Sequence, residues 1–190
     1  MIIIIMGVSG SGKTTVGTKL AKTLGWKFAD GDDFHPQKNK DKIKKGIPLD
    51  DDDRQPWLEN IRHEIEINLI NNSNFIIVCS ALKEKYRKML LKDEEPVKLV
   101  YLKGSYELIE KRLIKREGHF ANEDILPSQF DTLEEPSNAI TIDISQTVES
   151  IIIEIIQNVA LESSNFYLFI KYLKLFIWYK VKVFYQYFYL

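Results

Sequence analysis

The chain contains little cysteine and no excess of either charge. One of its 190 residues is cysteine, which excludes an internal disulfide and fits a reducing compartment. The 26 lysines and arginines nearly balance the 27 aspartates and glutamates, and a net charge of −1 provides no basic field that would attract nucleic acid. We therefore expect no nucleic-acid partner. Cys79 ends an apolar run, which predicts a small buried side chain rather than a nucleophile.

An uninterrupted apolar stretch long enough to span a membrane is also missing. The first run, residues 2–6, is too short for the apolar region of a signal peptide and has no basic residues before it. Residues 165–190 are dense in phenylalanine, tyrosine, leucine and isoleucine, but lysines interrupt them too often for a span, at positions 171, 174, 180 and 182. The sequence therefore favours a cytoplasmic protein that does not span a membrane.

Apolar runs typical of buried strands alternate with helical patterns along most of the chain. Strands are predicted at residues 2–6, 26–29, 75–79, 97–102 and 139–143. Helices are predicted after residue 14, at 37–45, around residues 57–69, at 83–91, at 106–116 and around 148–159. Strands separated by helices of this length indicate βαβ units and a parallel sheet.

We divide the chain into a domain at residues 1–162 and an extension at 163–190. An interfacial helix is one interpretation of the extension. We favour two others, an extra packed helix or an extension without a role.

A complete phosphate-binding loop follows the first predicted strand. Residues 7–14 read Gly-Val-Ser-Gly-Ser-Gly-Lys-Thr, which fits the pattern G-x-x-x-x-G-K-[ST]. Its glycines allow a tight turn, and the next helix supplies free N–H groups and the positive end of its dipole. We expect Lys13 to reach the β- and γ-phosphates of ATP and the Thr14 hydroxyl to ligate Mg²⁺. The expected nucleotide-binding residues are Gly7, Val8, Ser9, Gly10, Ser11, Gly12, Lys13, Thr14 and Thr15.

Two sequence features that are absent reduce the number of classes of phosphate-loop protein to which the chain could belong. The Asn-Lys-x-Asp signature of guanine recognition does not occur, which argues against a GTPase. The third predicted strand ends without an acidic residue, whereas Asp30 and Asp32 follow the second. This arrangement suits an enzyme whose acceptor lies beside the metal site. A solvated acidic turn is the alternative, since aspartate and glycine are common turn residues.

Several further segments resemble the signature segments of gluconokinases, in the order of that family. They lie at residues 30–36, 46–58, 79–83 with 86–87, 113–120 and 129–134. The resemblance spans about residues 3–160 and does not include the extension. Two small departures are Asp50, where asparagine is expected, and Thr14, the permitted alternative to serine.

The resemblance implies a fold, a reaction and an assembly. The fold is the α/β, three-layer P-loop kinase fold of shikimate and nucleoside monophosphate kinases, with a five-stranded parallel sheet flanked by helices and a mobile lid. The reaction is ATP + D-gluconate → ADP + 6-phospho-D-gluconate, which feeds carbohydrate acid catabolism and the pentose phosphate pathway. The family also implies a homodimer.

With the resemblance, individual residues receive expected roles. Lys13, Asp32, Arg112 and Arg116 are the expected catalytic residues, and Arg112 is also expected to contact the nucleotide. Arg112 and Arg116 stand four residues apart on a predicted helix that leads into a lid at residues 116–124. Expected gluconate-binding residues are Asp32, His35, Arg54, Lys83, Arg87 and His119, and expected metal ligands are Thr14 and Asp30. The alternative for Arg112 and Arg116 is that they are charges on a solvated helix face. The alternative for Arg54 and Lys83 is a surface charge at the start of a helix or a cap on a backbone carbonyl.

Other functions compete with this interpretation. Another small-acceptor kinase, such as a shikimate or nucleotide kinase, would share the phosphate loop. A non-catalytic nucleotide-binding module is a rival of another class, and a membrane-associated protein governed by its aromatic extension is a third. The intact set Lys13, Thr14, Asp32 and Arg116 counts against an inactive protein.

Overall fold

The computed structural model describes residues 1–93, 95–115, 125–163, 170–179 and 181. Five parallel strands form one sheet in the order β2-β3-β1-β4-β5. Their bounds are β1 Ile2–Met6, β2 Lys27–Asp30, β3 Phe75–Val78, β4 Val97–Lys103 and β5 Ile140–Asp143. β1 lies at the centre, with Ile2 opposite Phe75 on one side and Val97 on the other. The predicted five-stranded parallel sheet is confirmed.

Helices cover both faces of this sheet. Their bounds are α1 Lys13–Leu24, α2 Gln37–Lys44, α3 Asp51–Ile70, α4 Glu84–Leu90, α5 Tyr106–Ile114, α6 Ile125–Thr132 and α7 Val148–Ser163, with a 3₁₀ turn at Gly31–Phe34. Ile3 and Ile5 of β1 belong to a core cluster with residues of α1, α5 and α7, whereas Ile2 and Ile4 belong to one with residues of α3 and α4. Because β1 is buried on both faces, its sequence is continuously apolar. The three-layer α/β fold class is therefore confirmed.

The helices α3, α5 and α6 depart from the sequence predictions in different ways. α3 begins at Asp51 because the Asp50 side chain accepts from the Asp53 backbone N–H while the Asp53 side chain accepts from that of Asp50. This capping box outweighs the presence of Pro56 inside the helix. α5 ends at Ile114, two residues short of the predicted end. The sequence did not predict α6, which contains Pro127 in its first turn. The predicted lid, residues 116–124, lies outside the described residues.

Part of the C-terminal extension packs onto this fold. Residues 170–179 are helical, and Tyr172 and Leu175 contact the core cluster that includes residues of α1 and α7. The Lys171 ammonium donates to the Thr23 carbonyl at 3.5 Å. An extra packed helix was one of the two favoured interpretations. The division at residues 162/163 stays a prediction. Within the described part of the chain, no helix has the length and apolarity needed to cross a membrane.

The tight packing of α1 on the sheet yields a stability prediction. A Cβ at Gly17 would lie 2.5 Å from Val78 Cγ1 and 2.8 Å from Phe28 Cε2. Alanine normally stabilises a helix by about 1 kcal/mol relative to glycine, whereas overpacking a core typically costs about 1–3 kcal/mol. We expect Gly17→Ala to lower the free energy of unfolding in urea. Thr18→Ala, at an exposed neighbouring position, is the control; a Gly17→Ala protein as stable as this control would contradict the packing argument.

Candidate active site

The loop between β1 and α1 is shaped to receive an anion. Gly7, Gly10 and Gly12 have φ values of 149°, 81° and 94°, in the region that favours glycine. Gly12 is the N-cap of α1, and among the described residues no side chain caps that helix end. The buried Ser11 hydroxyl likewise has no hydrogen-bond partner in the described part of the protein. Free N–H groups at a helix N-terminus form a phosphate site, as the motif predicts.

The Lys13 ammonium lies at the mouth of this loop. Its Nζ donates to the carbonyl oxygens of Gly7 at 2.9 Å and Val8 at 3.1 Å. The Ser9 N–H donates to Gln129 Oε1 at 2.6 Å. Gln129 of α6 thus contacts the phosphate loop.

An acidic turn adjoins the start of α1. β2 ends at Asp30, and the Thr14 hydroxyl donates to Asp30 Oδ2 at 2.8 Å. The other carboxylate oxygen of Asp30 accepts from the Asp32 backbone N–H at 3.1 Å. Thr14 and Asp30, the two predicted metal ligands, are therefore in direct contact. Hydroxyl and carboxylate oxygens are suitable ligands for Mg²⁺.

Asp32 follows on this turn, and the residue is exposed to solvent. Partial withdrawal of its carboxyl group from water raises its pKa, and so do the negative charges of Asp30 and Asp33, whereas the Lys13 ammonium opposes the shift. A carboxylate of raised pKa is a stronger proton acceptor than an ordinary one. The charge of Lys13, in the phosphate loop, is therefore close enough to act on the Asp32 carboxyl group.

A stacked pair of rings forms the next wall of the site. The His35 and Trp57 rings are parallel to within 12°, with centroids 4.6 Å apart, and Trp57 Nε1 donates to the Gly31 carbonyl at 2.7 Å. Burial, and then the positive charges of Arg54 and Lys40, lower the pKa of His35 to about 4. His35 is therefore a neutral hydrogen-bonding group at pH 7. Trp57 is 2% exposed and belongs to the core cluster that includes residues of α3 and α4.

Three predicted acceptor-binding cations come from α3 and from the segment that begins α4. Lys83 donates to Asp51 Oδ1 at 2.9 Å. The Arg54 guanidinium carbon and the Lys83 ammonium lie 5.9 and 5.6 Å from the centroid of the Tyr86 ring. The structure therefore brings Arg54 and Lys83 to one place.

Arg87 has a different position. It is buried, and its Nη1 donates to the carbonyls of Ala81 at 3.1 Å and Leu82 at 2.8 Å. Ala81 has φ +42°, a strained value for a residue with a Cβ. Arg87 thus stabilises the loop after β3, and its predicted role in acceptor binding stays a prediction.

Of the predicted arginines near the lid, only Arg112 lies within the described residues. Its Nη2 donates to the Ile144 carbonyl, just after β5, at 2.5 Å. Its catalytic and nucleotide-binding roles stay predictions. Arg116 and His119 lie outside the described residues.

Three polar residues at the site received no role from the sequence. Gln129 meets the phosphate loop, Asn39 donates to the Asp53 carbonyl at 2.6 Å beside His35, and Asp51 holds Lys83. Gln129 belongs to a segment that resembles gluconokinases, which was the available signal. Asp51 also lies in such a segment, at residues 46–58, whereas nothing in the sequence distinguishes Asn39 from the solvated residues of its polar stretch.

Comparison with known proteins identifies the family. A family model described as an AAA domain matches residues 2–136. A "Probable gluconokinase" of Xenopus tropicalis is 43% identical over 173 residues, which cover 82% of this chain and 91% of that protein. The chain belongs to the gluconokinase family.

Structural comparison agrees with this assignment. A gluconokinase from Sinorhizobium meliloti 1021 superposes with a TM-score of 0.75 at 37% identity, covering 87% of this chain and 94% of that one. A shikimate kinase from Aquifex aeolicus has a TM-score of 0.54 at 16% identity over 87% of this chain and 99% of that one, which shows the shared fold alone. As a member of the gluconokinase family with an intact phosphate loop, the chain is a phosphotransferase that uses ATP.

The lowered pKa of His35 predicts a pH dependence of stability. An unfolded histidine takes up a proton below about pH 6.5, whereas folded His35 does so only below about pH 4. The unfolded state therefore binds more protons between these values, and stability falls as the pH drops from about 6.5 towards 4. We expect His35→Gln to lose less unfolding free energy than wild type between pH 7.5 and 5, by up to about 2 kcal/mol.

His63→Gln is the matched control, since His63 is an exposed histidine of α3. Urea titrations at the two pH values would measure the difference. Identical pH dependence of wild type and His35→Gln would show that His35 ionises as freely in the folded state as in the unfolded one.

Proposed function

We propose that this protein transfers the γ-phosphoryl group of ATP to a terminal hydroxyl of D-gluconate, giving ADP and 6-phospho-D-gluconate. The observation that supports this most directly is the meeting of segments that resemble gluconokinases at one edge of the sheet. The phosphate loop after β1, the acidic turn after β2 and the loop after β3 all follow the carboxyl ends of neighbouring strands. Open parallel sheets bind their ligands at that edge.

On the nucleotide side, the loop amides and Lys13 receive the phosphates. Two of the hydrogen bonds of the Lys13 ammonium go to backbone carbonyls of the loop itself. When ATP binds, phosphate oxygens replace these carbonyls as acceptors at little structural cost. Phosphoryl transfer depends mainly on positioning and on neutralising charge at the transferred group, and Lys13 serves both needs.

A magnesium ion fits the oxygen pair formed by Thr14 and Asp30. Residues in the described ranges form no cluster of three or more histidine, cysteine or acidic side chains able to hold a metal. That sparse set suits Mg²⁺, which usually takes one or two protein oxygens and completes its shell with phosphates and water. When bound, the ion neutralises charge on the phosphates. Asp30 and Thr14 would hold it.

On the acceptor side, the residues match an anion with many hydroxyl groups. Neutral His35 offers a ring nitrogen for a hydroxyl, while Arg54 and Lys83 offer positive charge for a carboxylate. Asp32 lies in the turn Gly31–Phe34, directly before His35, and the charge of Lys13 affects its pKa. It accepts the proton of the attacking hydroxyl as the oxygen bonds to the γ-phosphorus and the bond from that phosphorus to ADP breaks. A homodimer and a cytoplasmic location are further parts of this proposal.

The reaction itself is the first test. In an assay that couples ADP release to NADH oxidation, we expect Mg²⁺-dependent turnover with D-gluconate and background rates with shikimate or nucleoside monophosphates. Lys13→Ala, prepared identically, should lose at least about a hundredfold in kcat, the scale of removing one preorganised charge. Turnover with shikimate or a nucleotide, and none with gluconate, would refute the proposed acceptor.

Asp32 carries the proposed proton transfer, so Asp32→Asn is the second test. The amide cannot take up the proton, and we expect kcat to fall by about a hundredfold or more while the KM for ATP changes little. Asp33→Asn removes the same charge from the adjacent exposed position and should keep most activity. If Asp32→Asn instead abolishes ATP binding and leaves kcat largely intact, Asp32 serves the metal and not the acceptor hydroxyl.

A further inference from the structure

The carboxylate of Asp51, the first residue of α3, collects three hydrogen bonds from a neighbouring segment. Lys83 Nζ donates to Oδ1 at 2.9 Å, Lys85 Nζ donates to Oδ2 at 2.6 Å, and the Tyr86 hydroxyl also donates to Oδ1. These donors hold the pKa of Asp51 far below its usual range, so it is ionised at any working pH. The proposed acceptor site includes Lys83, but it gives Asp51 no role in acceptor binding.

These bonds fix the direction of the groups around Tyr86. The Tyr86 residue is 4% exposed, and its ring lies 5.9 Å from the Arg54 guanidinium carbon, 5.6 Å from Lys83 Nζ and 5.9 Å from Lys85 Nζ. A phenol has one hydrogen to donate, and Asp51 takes it, so the Tyr86 oxygen can only accept from another partner. Three cations and one carboxylate leave this cluster with a net positive charge.

The first turn of α3, which carries Asp51 and Arg54, also lies next to His35 of the proposed acceptor site. Arg54, one turn after Asp51, is close enough to His35 for its charge to contribute to the lowered pKa of that histidine. The Asp53 carbonyl, in the same first turn of α3, accepts from Asn39, which faces His35. The N-terminus of α3 therefore carries Asp51, accepts a hydrogen bond from Asn39 and lies close to His35.

We infer that Asp51 is a positioning residue for the acceptor's carboxylate: it holds Lys83 and the Tyr86 hydroxyl beside Arg54 in the arrangement that receives an anion. The inference rests on the proposed function. Two effects of Asp51 oppose each other, because its negative charge repels an anionic acceptor while its hydrogen bonds arrange the cations that attract one. Our inference is that the arrangement outweighs the repulsion.

Asp51→Asn separates these two effects. The amide keeps the shape and one acceptor oxygen but turns an NH₂ group towards donors that the carboxylate accepted. We expect the KM for gluconate to rise at least about tenfold, with kcat and the KM for ATP changed by less than about threefold. Asp52→Asn removes the same charge from the same helix turn at an exposed position. That control should leave all three constants within about twofold of wild type.

A neutral analogue distinguishes positioning from general loosening. D-gluconamide differs from gluconate only at the carboxylate, and its inhibition constant should rise much less in Asp51→Asn than the gluconate KM does. Asp51→Glu, which restores a carboxylate, should recover part of the gluconate affinity. Equal losses for gluconate and gluconamide, an unchanged KM, or a lower KM would each overturn the inference, the last by showing that Asp51 competes with the acceptor.

The same measurements separate this inference from the proposed function. Wild-type turnover with gluconate, together with an Asp51→Asn protein that behaves like Asp52→Asn, overturns the role of Asp51 alone. Absence of wild-type turnover with gluconate overturns both. Thermal melting of the two variants verifies that each is folded.

Discussion

The carboxylate of Asp30 connects the two halves of the site. One of its oxygens accepts from the Thr14 hydroxyl in the first turn of α1, and the other accepts from the backbone N–H of Asp32 in the acidic turn. The first contact belongs to the phosphate side and the second to the acceptor side. Because both bonds end on one planar group, the Asp30 side chain links the start of α1 directly to the acidic turn. Phosphoryl transfer requires the two sides to be held together, since the reacting atoms must meet in line.

Local signals in the sequence were sufficient to predict most of this framework. The run Ile2–Met6 predicted a strand buried on both faces, and the next eight residues predicted the phosphate loop that follows it. The contact between Thr14 and Asp30 could be anticipated because both follow strands of one parallel sheet. Helix starts that depend on polar capping were harder to predict from the sequence. α3 begins at Asp51 through a reciprocal aspartate pair, in a stretch where four successive aspartates resemble a solvated loop.

Side-chain partners formed across the fold could not be read from the sequence. Arg87 and Lys83 both resembled acceptor-binding cations, yet Arg87 holds the carbonyls of a strained loop while Lys83 reaches Asp51, 32 residues away. The difference depends on how α4 packs against α3, which no pattern in the chain encodes locally. The same holds for Gln129, whose contact with Ser9 joins residues 120 positions apart. Residue type indicated the chemistry, and tertiary packing decided the partners of each cation.

Ionisation at the site follows from how each group is surrounded. His35 is buried beside cations and stays neutral. Partial withdrawal from water, and then the neighbouring Asp30 carboxylate, raise the pKa of Asp32, so that it holds its proton more tightly. Asp51 accepts hydrogen bonds from three donors and stays charged. The neutral ring of His35 can accept or donate a hydrogen bond, Asp32 can accept a proton, and the charged Asp51 can orient cations. All three residues lie on or next to the elements that join β2 to α3. A change in the packing of α3 would therefore alter the proposed acceptor recognition and the proposed proton transfer together.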